Sequence, residues 1–158
     1  MGNQKYFNWK TLVISVAISL GTGIVSSLLS GAGMQQYGTL YKPPLAPPGW
    51  LFPIVWVILY VLMGIAAWLV YETEGVDTKQ ALVLYGIQLV LNGGWSLIFF
   101  GWQAYFLAFA WLLLLWFFIY LTVKEFLQVN RLAGILMIPY LIWVTFAGYL
   151  NLAIALNT

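Results

Sequence analysis

Long stretches without any charged side chain are the feature that most limits how this chain folds. Six basic and four acidic residues leave four uncharged segments, which are residues 11–41, 43–71, 80–123 and 132–158. A membrane-spanning helix needs about 20 mostly apolar residues, so the third segment is long enough for two, with a turn at Gly101-Trp102-Gln103. We therefore predict an all-α integral membrane bundle of five transmembrane helices in one domain. The helices are expected near residues 11–31, 50–71, 80–100, 104–123 and 132–155.

Several function classes are excluded by what the sequence lacks. Charged residues make up 6% of the chain, whereas a soluble domain carries about 25%. The sequence has no cysteine and no histidine, which excludes disulfides, zinc sites and Cys or His nucleophiles, and no metal site is expected. It has no basic patch for nucleic acid. No charge lies inside a predicted span, which argues against ion-coupled transport.

The distribution of Lys and Arg predicts the orientation in the membrane. With five spans, one side carries five basic residues and the other carries only Lys42. The five are Lys5, Lys10, Lys79, Lys124 and Arg131. Because basic residues are enriched on the cytoplasmic side, we predict a multi-pass cell-membrane protein with a cytoplasmic N-terminus and an outward C-terminus.

Two features near the start of the chain each allow two interpretations. Ser19, Gly23, Ser27 and Ser30 recur about every four residues in the first helix, a pattern more typical of close helix packing than of a ligand wall. The proline-rich loop 32–49 is long and stiff. It either covers one end of the bundle or only ends the first helix and starts the second.

Helix three places two amides and two aromatic rings on one face. Gln88 and Asn92 are one turn apart, and Trp95 and Phe99 continue the stripe. Uncharged polar residues inside a span usually form hydrogen bonds between helices. Their aromatic neighbours also fit a ligand pocket, which is mostly apolar with a few placed polar groups.

Three further helices combine large rings with small or aliphatic residues, which favours either core packing or a slot for a flat ligand. Helix five also has Pro139, which can kink it. The candidates are Phe52, Val55, Trp56 and Tyr60 on helix two, Leu107, Ala110, Trp111 and Leu114 on helix four, and Trp143, Ala147, Leu150 and Asn151 on helix five.

Three ordered motifs resemble the TspO/translocator-protein family, also called tryptophan-rich sensory proteins or peripheral benzodiazepine receptors. The first is Lys42-Pro43-x-x-x-Pro47-Pro48-x-Trp50-x-Phe52-Pro53-x-x-Trp56. The second is Gln88-Leu89-x-x-Asn92-x-x-Trp95-x-x-x-Phe99-Phe100-Gly101. The third is Pro139-Tyr140-Leu141-x-Trp143-x-x-Phe146-Ala147-x-x-Leu150-Asn151. The resemblance covers nearly the whole chain and is weakest in helix one.

The resemblance implies a membrane receptor or sensor that binds porphyrins, haem-like molecules, sterols and benzodiazepine-type ligands between the helices, with possible transport of the ligand. It also implies a homodimer, and no cofactor is required. By motif, the pocket would contain Trp56, Asn92, Trp95, Trp143, Ala147 and Leu150, with Phe52, Val55, Tyr60, Leu107, Ala110 and Leu114 beside them. Two alternatives stay open. One is light-dependent porphyrin degradation at Trp56 and Trp143, and the other is a structural membrane subunit without a ligand.

Three positions depart from the family pattern. Leu45 and Leu107 stand where family members usually have tryptophan, so a loop contact to the ligand and a helix-four ring are absent. The mammalian cholesterol motif needs a basic residue after an aromatic residue beyond helix five, and none follows Tyr149.

Overall fold

The computed structural model describes residues 8–31 and 37–158. Over these residues the chain forms five long helices, each apolar enough to cross a membrane, which confirms the predicted all-α, five-span architecture. They are α1 (Trp9–Ser30), α2 (Leu51–Glu72), α3 (Lys79–Ser96), α4 (Tyr105–Val129) and α5 (Arg131–Leu156). A π-helical turn, Leu97–Gly101, continues α3 to the predicted turn.

The helices form a closed ring rather than a row. α1 packs against α2 and α3, α2 packs against α5, and α4 fills the remaining place between α3 and α5. The largest fully buried side chains include Tyr140, Phe126, Met63 and Leu115. These residues come from α5, α4 and α2, so the core lies along the axis of the ring.

Small residues allow α1 to approach α2 closely. A Cβ atom at Gly64 would lie 2.5 Å from the Cα atom of Val16. The hydroxyl groups of Ser15 and Ser19 donate to the backbone carbonyls of Gly64 and Tyr60, at 2.7 and 2.6 Å. Without hydrophobic attraction between helices in lipid, such close backbone contact and hydrogen bonding hold helices together.

The largest difference from the predicted boundaries concerns the connection between α4 and α5. The charged residues Lys124 and Glu125 suggested a loop over 124–131, but α4 continues to Val129. Asn130 alone separates the helices, and its side-chain oxygen accepts hydrogen bonds from the backbone N–H groups of Leu132 and Ala133. Asparagine at an N-cap satisfies amides that lack helical partners, so a single residue ends one helix and starts the next.

Candidate functional site

A cavity of about 340 Å³ lies between α1, α2, α3 and α5, at the end of the bundle where the 37–50 loop connects α1 to α2. Its walls are mainly apolar and aromatic. A volume of this size falls at the lower end of the range for small-molecule pockets, about 300–1,000 Å³. Seven predicted pocket residues line it: Phe52, Trp56, Tyr60, Asn92, Trp95, Ala147 and Leu150.

Buried hydrogen bonds form the inner boundary of the cavity. The hydroxyl of Tyr60 donates to Oδ1 of Asn92, and Nδ2 of Asn92 donates to the hydroxyl of Tyr140 at 2.9 Å. Tyr140 in turn donates to Oε1 of Gln88 at 2.7 Å. The side-chain amides of Gln88 and Asn92 therefore link α3 to α2 and α5 through hydrogen bonds. Asn92 also lines the cavity.

The indole of Trp95 is held in a fixed orientation. Its Nε1–H donates to Oδ1 of Asn151 at 3.0 Å, and Nδ2 of Asn151 donates to the carbonyl of Tyr105 at 2.9 Å. The Trp95 ring stacks on Phe99, with centroids 5.2 Å apart. The cavity wall at Trp95 is therefore ordered before a ligand binds, which lowers the entropy cost of binding.

The proline-rich loop covers the end of the cavity, which decides between its two interpretations. Tyr37 lines the cavity and meets Phe52 edge-on, with centroids 4.9 Å apart. The hydroxyl of Tyr149 in α5 donates to the carbonyl of Pro44 at 2.7 Å, which attaches the loop to α5. Burial raises the pKa of Tyr37 above its ordinary value of 10.0, so its phenol stays neutral at physiological pH. Residues 32–36 of the predicted loop fall outside the described part.

Three predicted pocket residues on α4 lie away from the cavity. Leu107 and Leu114 are 50% and 45% exposed on the outer surface, and Ala110 is also exposed. No residue of α4 lines the cavity in the described structure. These three are therefore not walls of this cavity, because their side chains lie on the exposed outer face of α4.

Two other predicted residues lie behind the cavity wall. Val55 packs on the central core. Trp143 packs edge-on against the cavity residue Phe52, with centroids 5.7 Å apart, and against Phe146. The buried Nε1 of Trp143 has no hydrogen-bond partner among the described residues. Trp143 thus supports Phe52 and does not itself line the cavity.

Helix α1 forms one wall of the cavity, although its serine and glycine pattern indicated helix packing. The pattern serves both helix packing and the cavity wall. Ser19 packs on α2, while Gly23, Ser26 and Ser27 line the cavity. A Cβ atom at Gly23 would lie 2.5 Å from the Tyr60 ring. The Ser26 hydroxyl is buried without a partner in the described part of the chain. Other cavity residues that the sequence did not single out as candidates include Tyr37, Phe100 and Ile154, whereas Asn151 was among the helix-five candidates.

The cavity reaches the outer surface of the bundle between α1 and α2. Three of its lining residues are also more than half exposed: Ile24 at 61%, Leu28 at 75% and Val57 at 52%. All three are apolar, as expected where a membrane protein meets lipid. The interior is therefore continuous with the surface that faces the bilayer.

A model of the TspO/MBR family matches residues 13–156. The chain belongs to this family. It is 42% identical over 147 residues to the "Tryptophan-rich protein TspO" of Chlorobaculum tepidum, covering 91% of this chain and 93% of that protein. It is 43% identical over 117 residues to the "Tryptophan-rich sensory protein" of Cereibacter sphaeroides, covering 74% and 73%. It is 39% identical over 140 residues to the human "Translocator protein", covering 87% and 83%.

Membership in the TspO/MBR family confirms the resemblance carried by the three motifs. Together with the five apolar helices, it establishes a multi-pass membrane protein. The motif residues meet around the cavity, since Phe52 and Trp56 come from the first motif, Asn92 and Trp95 from the second, and Ala147 and Leu150 from the third.

Proposed function

We propose that this TspO/MBR family member is a membrane sensor or translocator whose cavity binds a flat apolar ligand of the tetrapyrrole, sterol or benzodiazepine type. The observation that carries the proposal is a cavity enclosed by aromatic side chains from separate elements, with Tyr37, Phe52, Trp56 and Trp95 around it. The relatives' names, which include sensory protein and translocator protein, support the role in sensing or movement.

The polar groups of the cavity favour an apolar ligand with few hydrogen bonds. Asn92, Tyr60 and Asn151 already bond to protein groups. The Ser26 hydroxyl has no partner among the described residues, but its oxygen is fully buried and is not open to a ligand. A ligand would therefore gain mostly from apolar burial, about 25 cal/mol per Å².

Titration with protoporphyrin IX tests this proposal. Saturable, one-site quenching of tryptophan fluorescence in the purified protein is expected, with Trp56→Phe reducing the quenching amplitude. Trp9→Phe, at the opposite end of α1 where Trp9 is 59% exposed, is the matched control and should leave the binding curve unchanged. Non-saturable quenching that is equal in all three proteins would reject the proposal.

Light-dependent porphyrin degradation is a weaker candidate on geometric grounds. Trp56 lines the cavity and stacks at a tilt near Tyr60, with centroids 5.6 Å apart. Trp143, the second tryptophan of that hypothesis, contacts the cavity only through Phe52. A purely structural subunit is also less favoured, because residues of all three motifs meet around one cavity. The homodimer stays a prediction.

A further inference from the structure

Lys42 stands apart from the other charged side chains of the described chain. The remaining charges lie where α1, α3 and α5 begin and where α2 and α4 end, at the opposite end of the bundle. They include all four acidic residues, which are Glu72, Glu74, Asp77 and Glu125. Lys42 is therefore a cation at the covered end of the cavity, with no acidic side chain of the chain to neutralise it there.

The ammonium group of Lys42 lies close to the cavity wall. Its Nζ is 4.6 Å from the centroid of the Tyr37 ring, and that ring lines the cavity. Nζ also donates to the backbone carbonyls of Tyr37 and Leu40, at 2.5 and 3.1 Å. An ammonium group has three N–H donors, so one remains for a further acceptor.

We propose that Lys42 pairs with an acidic group on the edge of the ligand, so that the cavity selects flat apolar molecules that carry a carboxylate. This inference rests on the proposed function, since it names the class of ligand for the same cavity. The ligand's apolar body lies among the aromatic rings, and its carboxylate lies at the loop beside Lys42. A charge-assisted hydrogen bond from an ammonium to a carboxylate is stronger than a neutral one. Because Lys42 is exposed, the strength of this pair should depend on the salt concentration.

A purely structural role for Lys42 is the alternative. Its two hydrogen bonds to the carbonyls of Tyr37 and Leu40 hold the start of the covering loop. Loss of this support would loosen the cover for every ligand, whether charged or neutral. Ligand pairing instead requires that the loss depends on the ligand's charge, so two ligands of the same shape separate the two roles.

The experiment compares protoporphyrin IX, which carries two carboxylic acids, with its neutral dimethyl ester. Affinities for both are measured with the full chain, with Lys42→Met and with Lys42→Arg. Lys79→Met, which removes an exposed cation at the opposite end of the bundle, is the matched control. Lys42→Met should weaken binding of the diacid about fivefold, or ~1 kcal/mol at 1.4 kcal/mol per tenfold, and leave ester binding unchanged.

Further outcomes separate this inference from the proposed function. Lys42→Arg should restore diacid binding, and added salt should reduce the difference between diacid and ester because it screens exposed charges. Equal losses for both ligands in Lys42→Met, or no loss for either, would overturn the role of Lys42 while leaving the cavity assignment intact. Failure of the unmodified protein to bind either ligand saturably would instead overturn the proposed function.

Discussion

The phenol of Tyr60 in α2 donates a hydrogen bond to the side-chain oxygen of Asn92 in α3, directly at the wall of the cavity. Both side chains are buried, and the amide of Asn92 continues the network to Tyr140. A single asparagine therefore connects the wall of the cavity to the hydrogen bonds that hold three helices together. Substitutions in this network should change the stability of the bundle and its affinity for a ligand to different extents.

Removal of the Tyr140 hydroxyl should destabilise the bundle more than removal of the Tyr60 hydroxyl. Tyr140→Phe eliminates two hydrogen bonds and Tyr60→Phe eliminates one. With interhelical hydrogen bonds averaging about 0.6 kcal/mol and reaching about 1.7 kcal/mol, the expected losses are ~1–3 and ~0.5–1.5 kcal/mol. Thermal unfolding in detergent measures both. Equal stability of the two variants would contradict the assigned network.

Ala147→Thr should weaken ligand binding. Ala147 is 6% exposed and lines the cavity, so added bulk narrows the slot and displaces α5. Overpacking costs about 1–3 kcal/mol, which corresponds to about a 5–150-fold loss of affinity if the strain falls on the bound state. Ala110→Thr on the outer face of α4 is the matched control. If both folded variants bind protoporphyrin IX like the parent, Ala147 does not line the ligand site.

Trp143→Phe should weaken binding much less than Ala147→Thr does. The ring of Trp143 supports Phe52 from behind and does not line the cavity, and phenylalanine keeps an aromatic contact there. The buried indole N–H that lacks a partner is also removed, which offsets part of the lost packing. A binding isotherm in the dark measures the affinity. A loss as large as that of Ala147→Thr would place Trp143 in direct contact with the ligand.

Iron should add little to porphyrin affinity. The sequence has no histidine and no cysteine, so the commonest axial ligands of haem iron are absent. Parallel titrations with haem and metal-free protoporphyrin IX should give similar dissociation constants, and the haem complex should lack a low-spin bis-histidine spectrum. A strong preference for the iron form would indicate an axial ligand other than histidine or cysteine.

The C-terminus should face away from the cytoplasm, with the covered end of the cavity on the same side. In the sequence, five basic residues lie on the side of the N-terminus and only Lys42 lies on the other, and basic residues favour the cytoplasm. A reporter that is active only in the cytoplasm should be silent when fused after Thr158. The same reporter on the N-terminus is the positive control, and bright signal from the C-terminal fusion would reverse the orientation.

The number of spans and their approximate bounds could be predicted from the sequence, because lipid tolerates few charges and each span needs a long uncharged segment. It also identified Gln88 and Asn92 as interior residues, since a buried amide in lipid needs a partner on another helix. The sequence did not show which face of helix four lies toward the bundle. Both faces of α4 are apolar, so the pattern of residues does not distinguish a face toward lipid from a face toward the cavity.

The positions of six residues follow from the tertiary structure alone. Leu107, Ala110 and Leu114 of α4 lie on the outer surface, and Gly23, Ser26 and Ser27 of α1 line the cavity. Packing decides which face turns inward, and packing depends on where small residues such as Gly64 let helices approach.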